Sequence, residues 1–342
     1  MHPLTRAFHD QAAACADLGS PFMARLCTHL AGTLRRDTPL GHRLFDWPGD
    51  LTPRGASVPL RLCGALHALR LMGRADLAAV YPPHTPADAA FAAAIDAALL
   101  SDAAFIDAFI DSPPQTNEVR RAATLIAAAH WLYARHRLPM RVCELGASAG
   151  LNLMFDRYAL DIGGTVLGPA DPALVLAPDW TGDMPPDAAP PIAERRGVDL
   201  NPLGPRDADD VLRLRAYLWP DQPPRRALTD AAITAATAPV DRADAAAWLP
   251  GHLAPRPGHL HLIYTTIAWQ YFPADTQASL TAAIAAAGAR ATPDTPLALF
   301  RMEADETGPG AALTLRLWPG GHDVAMGRAD FHGRWVRWTA PA

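Results

Sequence analysis

Through the first 136 residues apolar positions recur every three or four residues, and the spacing predicts helices over 21–35, 57–72, 86–99, 101–111 and 115–136. Strand signals are scarce in this part. In the turn DSPPQTNE, Ser112 can cap and Pro113 suits a first helical position, while Val119, Ala122, Leu125, Ile126 and Ala129 give the next helix one apolar face. Beyond residue 137 the pattern changes to short apolar runs at 140–144, 196–200, 259–266, 296–302, 312–318 and 334–338, separated by helical or irregular stretches. That alternation is the rhythm of a parallel sheet with crossover helices.

The chain therefore reads as α/β, with an all-helical N-terminal domain over 1–136 and a Rossmann-like domain over 137–342. The runs ALTLRLW and GRWVRW, separated by a loop holding Gly320, Gly321, His322 and Asp323, are expected to pair as an antiparallel hairpin at one end of the sheet. Residues 161–195, rich in Pro, Gly and Asp, are long for a βα connection and are expected to form an insertion over the ligand face.

Composition narrows the chemistry. Hydrophobic residues make up 50% and charged residues 19% of 342 positions, a globular balance. All 30 basic residues are arginine, so any mechanism needing a Schiff-base or phosphate-binding lysine is excluded. A net charge of −5 argues against nucleic acid as the main partner. Cys15, Cys27, Cys63 and Cys143 form no C-x-x-C pair and read as buried thiols of a reducing compartment. The N-terminus has no apolar core of signal-peptide length, and Asp96, Asp102 and Asp107 interrupt the alanine-rich stretch, so the expectation is a cytoplasmic protein without a membrane span. Oligomeric state is not legible.

The most informative stretch is RVCELGASAGLNL at 141–153, where an apolar run meets Glu144 and then Gly146, Ser148 and Gly150 at alternate positions before an expected helix start. A strand ending in such a turn lets the backbone pass close beneath a nucleotide-like ligand, with free N–H groups at the helix start. A carboxylate at the strand end suits the sulfonium and ammonium of S-adenosylmethionine better than a pyrophosphate. Gly146 to Gly150 also spell G-x-S-x-G, the serine-hydrolase elbow, with Ser148 as nucleophile and His322 or His332 following in the required order.

Later segments bear on that choice. RRGVDLNP places Asp199 at a short strand's end, where it could accept from ribose hydroxyls, and PVDRADAAAWLP places Asp244 and Ala245 where an adenine amino group could be met. Asp244 alone reads equally as a helix cap. After the run LIYTTIAWQYFP, Thr266, Trp269, Gln270 and Tyr271 should face the crevice at the strand's carboxyl end. The two aromatics could equally be core residues. Gln115, Asn117 and Glu118 are candidates for the methionine end of a cofactor or for the substrate, with helix capping as the competing role. His259 and His261 form an H-x-H pair without a third ligand at recognisable spacing, so no metal is expected. His332 and Arg334, beside Trp335 and Trp338, could meet an anion or simply close an edge hairpin.

The segments QTNE, CELGASAGLNLMFDRY, RRGVDLNP, WQYFP and HGRWVRW resemble those of domain-of-unknown-function family 2332, bacterial proteins whose core is similar to class I S-adenosylmethionine-dependent methyltransferases. The resemblance implies a three-layer sandwich with a mostly parallel seven-stranded sheet, a terminal antiparallel hairpin and a helical domain covering the site. It implies Glu144, Gly146, Ser148 and Gly150 as the cofactor loop, Asp199 as the ribose acid and Asp244 with Ala245 at the adenine; Ala147 within the loop and Thr266, by its place at a strand's carboxyl end, are the further cofactor candidates. Tyr271, Gln270 and Trp269 are then the candidates on the catalytic side. One departure is Ser148, which stands where the methyltransferase loop commonly has glycine. The expected activity is methyl transfer to a small-molecule acceptor. The alternatives are a non-catalytic binder of S-adenosylmethionine or S-adenosylhomocysteine, a partner-binding protein on the same fold, and a Ser148 hydrolase.

Overall fold

The structure, a computed structural model, describes residues 1–341. It opens with helices α1 (Pro3–Asp17), α2 (Pro21–Thr33), α3 (Pro39–Phe45), α4 (Val58–Leu71), α5 (Ala75–Val80), α6 (Asp88–Ser101) and α7 (Ala103–Phe109). A 3-10 turn at Val119–Arg121 leads into α8 (Ala122–His136) and then β1 (Met140–Leu145). There follow β2 (Ala159–Ile162), β3 (Thr165–Leu167), β4 (Val175–Leu176), β5 (Asp179–Gly182) and β6 (Ile192–Asp199). Next come α9 (Ala208–Ala216), α10 (Pro223–Ala235), β7 (Val240–Arg242) and α11 (Ala245–Trp248). The chain ends with β8 (Leu260–Thr266), α12 (Ala274–Gly288), β9 (Leu297–Glu303), β10 (Ala311–Trp318), β11 (His322–Ala329) and β12 (Trp335–Trp338).

The chain divides into two compact units, one formed by 1–116 with 206–227 and the other by 117–205 with 228–342. In the first, α1, α2 and α3 each begin with proline behind a side-chain cap: His2 Nδ1, Ser20 Oγ and Thr38 Oγ1 accept from the N–H groups of Leu4, Met23 and Gly41. Proline at N1 gives up an N–H that would have no helical partner, so the pattern sets three helix starts cheaply. The segment 206–227 joins this unit because Tyr217 and Trp219 enter the helical core, and the Asp221 carboxylate accepts from Ser20 Oγ at 2.6 Å and Phe22 N–H at 2.9 Å. Among the described residues no single helix is long and apolar enough to cross a membrane; α6 and α7 together reach that length and composition, but they are bent by 79°.

The second unit is built on a mixed, mostly parallel nine-stranded sheet in the order β5-β12-β11-β10-β9-β8-β1-β6-β7. The expected seven strands are thus exceeded at one edge. β8 is buried along its whole length, as a central parallel strand covered on both faces must be. α11 and α12 cover one face through Trp248, Leu280 and Ile284, which pack on Cys143, Leu145 and Ile263. On α8, the Thr124 hydroxyl lies 3.8 Å from Met302 Sδ of β9.

The expected terminal hairpin is corrected. β10 pairs with β11, which begins at His322, and β12 pairs with β11 instead of β10, so β9 to β12 form an antiparallel meander. The insertion has structure of its own: β3-β2-β4 make a small sheet, and β5 lies parallel to β12 at the edge of the large one. That last part, expected over the ligand face, extends the sheet at its outer edge beyond β12.

Candidate functional site

Five strands, β7-β6-β1-β8-β9, are parallel and adjacent. From β1 the chain steps outward to β6 and β7 on one side, then returns to β8 and β9 on the other. The order therefore reverses between β1 and β8, and the crevice outside the carboxyl ends of those strands is where open parallel sheets bind ligands. At that point Gly146 touches the β8 loop so closely that a Cβ would stand 2.6 Å from Ala268 Cβ, and its φ is +75°. Gly150 has φ +68° and would meet Val240 Cγ2 at 2.8 Å. Glycine is required at both positions by conformation and by contact.

The loop between them is wound tightly on its neighbours. The N–H groups of Gly146 and Ala147 donate to Val198 O, and Gly150 N–H donates to Ala147 O. Ser148, held at φ +51°, donates its N–H to Asp199 Oδ2 at 2.8 Å. Leu151 N–H donates to Asn117 Oδ1 at 3.0 Å. The expected helix start is corrected here: residues Asn152–Arg157 form a 3-10 helix. Leu151 O, which an α-helix would offer to Phe155, instead accepts from Tyr158 Oη at 2.7 Å and Met154 N–H at 3.3 Å. The anticipated row of free helix-terminal N–H groups is therefore not what this loop presents.

Two buried polar atoms in the loop have no protein partner, Ser148 Oγ and Asn152 Oδ1. Asn152 Nδ2 donates to Glu118 O at 3.3 Å, which fixes the amide's orientation and leaves an acceptor facing the other way. Beneath the loop Glu144, only 2% exposed, accepts from Tyr264 Oη at 3.3 Å. Burial raises its carboxyl well above the ordinary value; the Tyr264 bond opposes this, nearby Asp199 adds to it and Arg121 opposes it.

Asp199 ends β6, and its two oxygens accept from the N–H groups of Ser148 and Asn201. Asp244 is exposed and caps α11, accepting at Oδ1 from Ala246 and Ala247 N–H at 2.9 and 3.0 Å, with Ala245 buried behind it. Asp199 and Asp244 stand at the ends of adjacent strands, tied by Ala243 N–H to Asp199 O. Across the crevice, Thr266 ends β8 and accepts from Arg121 Nη1 at its carbonyl, while Arg121 Nε donates to Phe331 O. Next comes Ile267 at φ +53°, unusual for a β-branched residue, and then a 3-10 turn, Trp269–Tyr271. Glu303 at the end of β9 accepts the N–H groups of Ala268 and Trp269 on Oε1, so the turn is held from below. Trp269 is half-buried, with the Arg301 guanidinium 5.5 Å from its ring; Gln270 and Tyr271 are exposed.

The fold thus brings Glu144, the glycine loop, Asp199, Asp244, Thr266, Asn117, Glu118 and the Trp269–Tyr271 turn to the carboxyl side of one sheet, while Gln115 belongs to the first unit. Asn117 holds the loop, and Glu118 caps the turn at Val119–Arg121 and pairs with Arg120 at 3.0 Å. Arg121, Asn152, Ile267 and Glu303 were not singled out in the sequence. Asn152 and Ile267 lie within quoted segments and Arg121 within the predicted 115–136 helix, but nothing in their spacing marks a buried arginine or an orphaned amide. His322 begins β11, which β10, β9 and β8 separate from the β1 strand that leads to Ser148, and Arg334 is engaged by Asp330 at 2.7 Å. The His259 side chain stays near Pro257 O, and His261 Nε2 lies 3.3 Å from Cys143 Sγ. Among the described residues no group of three His, Cys, Asp or Glu could hold a metal ion.

The family model described as an uncharacterized protein conserved in bacteria, DUF2332, matches residues 5–338. The chain belongs to this family. The match spans both units of the DUF2332 chain, so the helical unit and the sheet unit are parts of one family architecture. No curated protein and no solved structure matches it.

Proposed function

We propose that this DUF2332 protein is a class I S-adenosylmethionine-dependent methyltransferase acting on a small-molecule acceptor. The observation that carries the reading is the strand-order reversal at β1 and β8, with a glycine loop over one strand end and acidic residues at the ends of β1 and β6 and just beyond β7. The residues suit the group. Ser148 Oγ and Asn152 Oδ1 are buried polar atoms awaiting partners, and Glu144 offers a carboxyl to a cationic ligand. Asp199 would take the ribose hydroxyls, since a carboxylate oxygen already bonded to one N–H can accept again. Asp244 with Ala245 would lie at the adenine, and Thr266 on the far wall.

S-adenosylmethionine supplies a methyl group on a positively charged sulfur, so the chain's own task is alignment and exclusion of water. The turn Trp269–Tyr271 would flank the acceptor, with Gln270 and Tyr271 as the polar side chains able to orient it or take up a proton. The glycine loop would set the approach from below. Ser148, whose hydroxyl has no basic partner among the described residues, serves this reading as a small loop residue.

Calorimetry of the full chain tests it. S-adenosylmethionine and S-adenosylhomocysteine should each bind one to one, and absence of heat with either at millimolar concentration overturns the proposal. Asp244→Ala should weaken both ligands while sparing an analogue whose base carries no amino group. Turnover against an acceptor panel then distinguishes transfer from silent binding.

A further inference from the structure

At the amino ends of β8 and β9, the far end of these strands from the crevice, a small half-open cleft is lined by residues that include Leu253, Arg256, His259, His261, Ala287 and Leu297. Its enclosed space is about 20 Å³, room for one or two water-sized groups. Two donors on this cleft lack protein partners. Arg256 forms no ion pair or side-chain hydrogen bond among the described residues, whereas Arg141, paired in register with His261, is taken by Glu194 at 2.7 Å and Ala254 O at 2.8 Å. His261, only 6% exposed, holds Nε2 3.3 Å from Cys143 Sγ. Burial keeps that thiol protonated, its pKa pushed up to about 12, and keeps the imidazole neutral, its own held down at about 3. A thiol sulfur is a poor acceptor and an imidazole nitrogen a good one, so Cys143 S–H donates to Nε2 and the ring proton sits on Nδ1. That N–H has no acceptor among the described residues and is not among the unpartnered polar atoms sealed from solvent, so it opens on the cleft that His261 lines. His259 donates Nδ1–H to Pro257 O at 2.9 Å, which anchors its ring. The carbonyls that end α12 are already used, Ala287 O and Gly288 O accepting from Arg290 and Ala291 N–H.

We propose that this cleft binds the carboxylate of a small organic acid, with Arg256 and His261 Nδ1–H as its donors and the apolar wall of Leu253, Ala287, Ala291 and Leu297 beside its stem. A guanidinium without a counter-ion beside an N–H without an acceptor calls for a group that only accepts. The planar fork of an arginine matches the two oxygens of a carboxylate. One cation also balances one negative charge, so a phosphate dianion would stay half-neutralised against walls that are largely apolar. The enclosed room takes a carboxylate head and excludes a nucleotide, and the stem passes out along the aliphatic side chains. Carboxylate binding here is independent of the cofactor reading, since none of these residues lies at the carboxyl ends of the strands.

Calorimetry and proton NMR of the full chain test this with sodium butyrate, a carboxylate on a short apolar stem. Butyramide keeps the stem without the charge, and inorganic phosphate the charge without the stem. Butyrate should bind saturably and one to one at millimolar concentration, and the other two at least about tenfold more weakly. Its addition should move the ring-proton signals of His259 and His261 and leave those of His67, in the other unit, in place. Arg256→Gln, at an exposed position, should weaken butyrate about tenfold or more without changing the melting temperature. Ala291→Leu, which fills the apolar side of the cleft, should weaken it as well. If Ala291→Leu does not fold, Arg256→Gln decides alone. Absence of saturation with butyrate at tens of millimolar overturns the proposal. So do equal binding of butyramide, tighter binding of phosphate, unmoved His261 signals, or an Arg256→Gln protein that binds butyrate as wild type does.

Discussion

Gly146 illustrates how one residue carries both the backbone geometry and the crevice. Its φ of +75° is disfavoured for any side chain, and a Cβ would stand 2.6 Å from Ala268 Cβ, a backbone-anchored atom that cannot swing away. Gly146→Ala should therefore destabilise the protein by about 3 kcal/mol, combining left-handed strain with overpacking. Gly32 is the control: it lies inside α2 with open space around its Cα, so Gly32→Ala should stabilise by up to about 1 kcal/mol. Denaturant unfolding of the two variants checks both signs, and equal effects would mean that the Gly146 contact yields more easily than its geometry suggests. The glycine spacing was legible because such a turn announces itself in sequence. Ile267 was not, since a β-branched residue at φ +53° is placed by its surroundings, here the Ile267 N–H bond to Met302 O and the grip of Glu303 on the next two N–H groups.

Among the elements, those with a strong period could be read directly. β1, β8, β9 and β10 fall on the predicted runs because each is a nearly continuous or cleanly alternating apolar strand. β11 escaped because HDVAMGRA carries only Val324 and Met326 as large apolar residues; its pairing is supplied by the strands on either side. The helix expected after the glycine loop failed for a different reason, as Tyr158 Oη, whose position depends on the fold, donates to the Leu151 carbonyl that an α-helix would have used. A similar long-range cap gives a prediction in the helical unit. Asp221 holds the Ser20 hydroxyl and the Phe22 N–H at the start of α2, and the Ser20 hydroxyl in turn accepts from Met23 N–H. Asp221→Ala should cost about 2 kcal/mol, because it orphans a charge-assisted pair of donors; Asp221→Asn should cost less, as one acceptor remains. Thermal melting of both variants tests the ranking, and an Asn variant as unstable as the Ala one would contradict it.

For the whole molecule, buried titratable groups in both units make stability depend on pH from two directions. His67 in the helical unit is held down at about 4 and His261 in the sheet unit at about 3, each chiefly because burial disfavours the charged imidazole. For a depressed histidine the stabilising contribution is complete above its unfolded value near 6.5 and is lost as pH falls toward the folded value. Each can therefore remove up to about 1.4 kcal/mol per pH unit on acidification below that point. Glu144 and Glu303 act with the opposite sign, since burial raises both carboxyls. Their contribution is complete below the ordinary carboxyl range and is lost as pH rises toward their folded values. The two effects overlap between the carboxyl and imidazole ranges and oppose each other there, so wild-type stability should form a broad dome. Replacing one group from each side separates them. His261→Leu should flatten the acid limb, because the unfolded chain loses a proton-binding site that the folded chain used poorly. Glu144→Gln should flatten the alkaline limb and leave the acid limb unchanged. Denaturant unfolding from pH 4 to pH 8 would show both, and an acid limb unaltered by His261→Leu would mean that the imidazole gains a proton without loss of the native packing around Cys143.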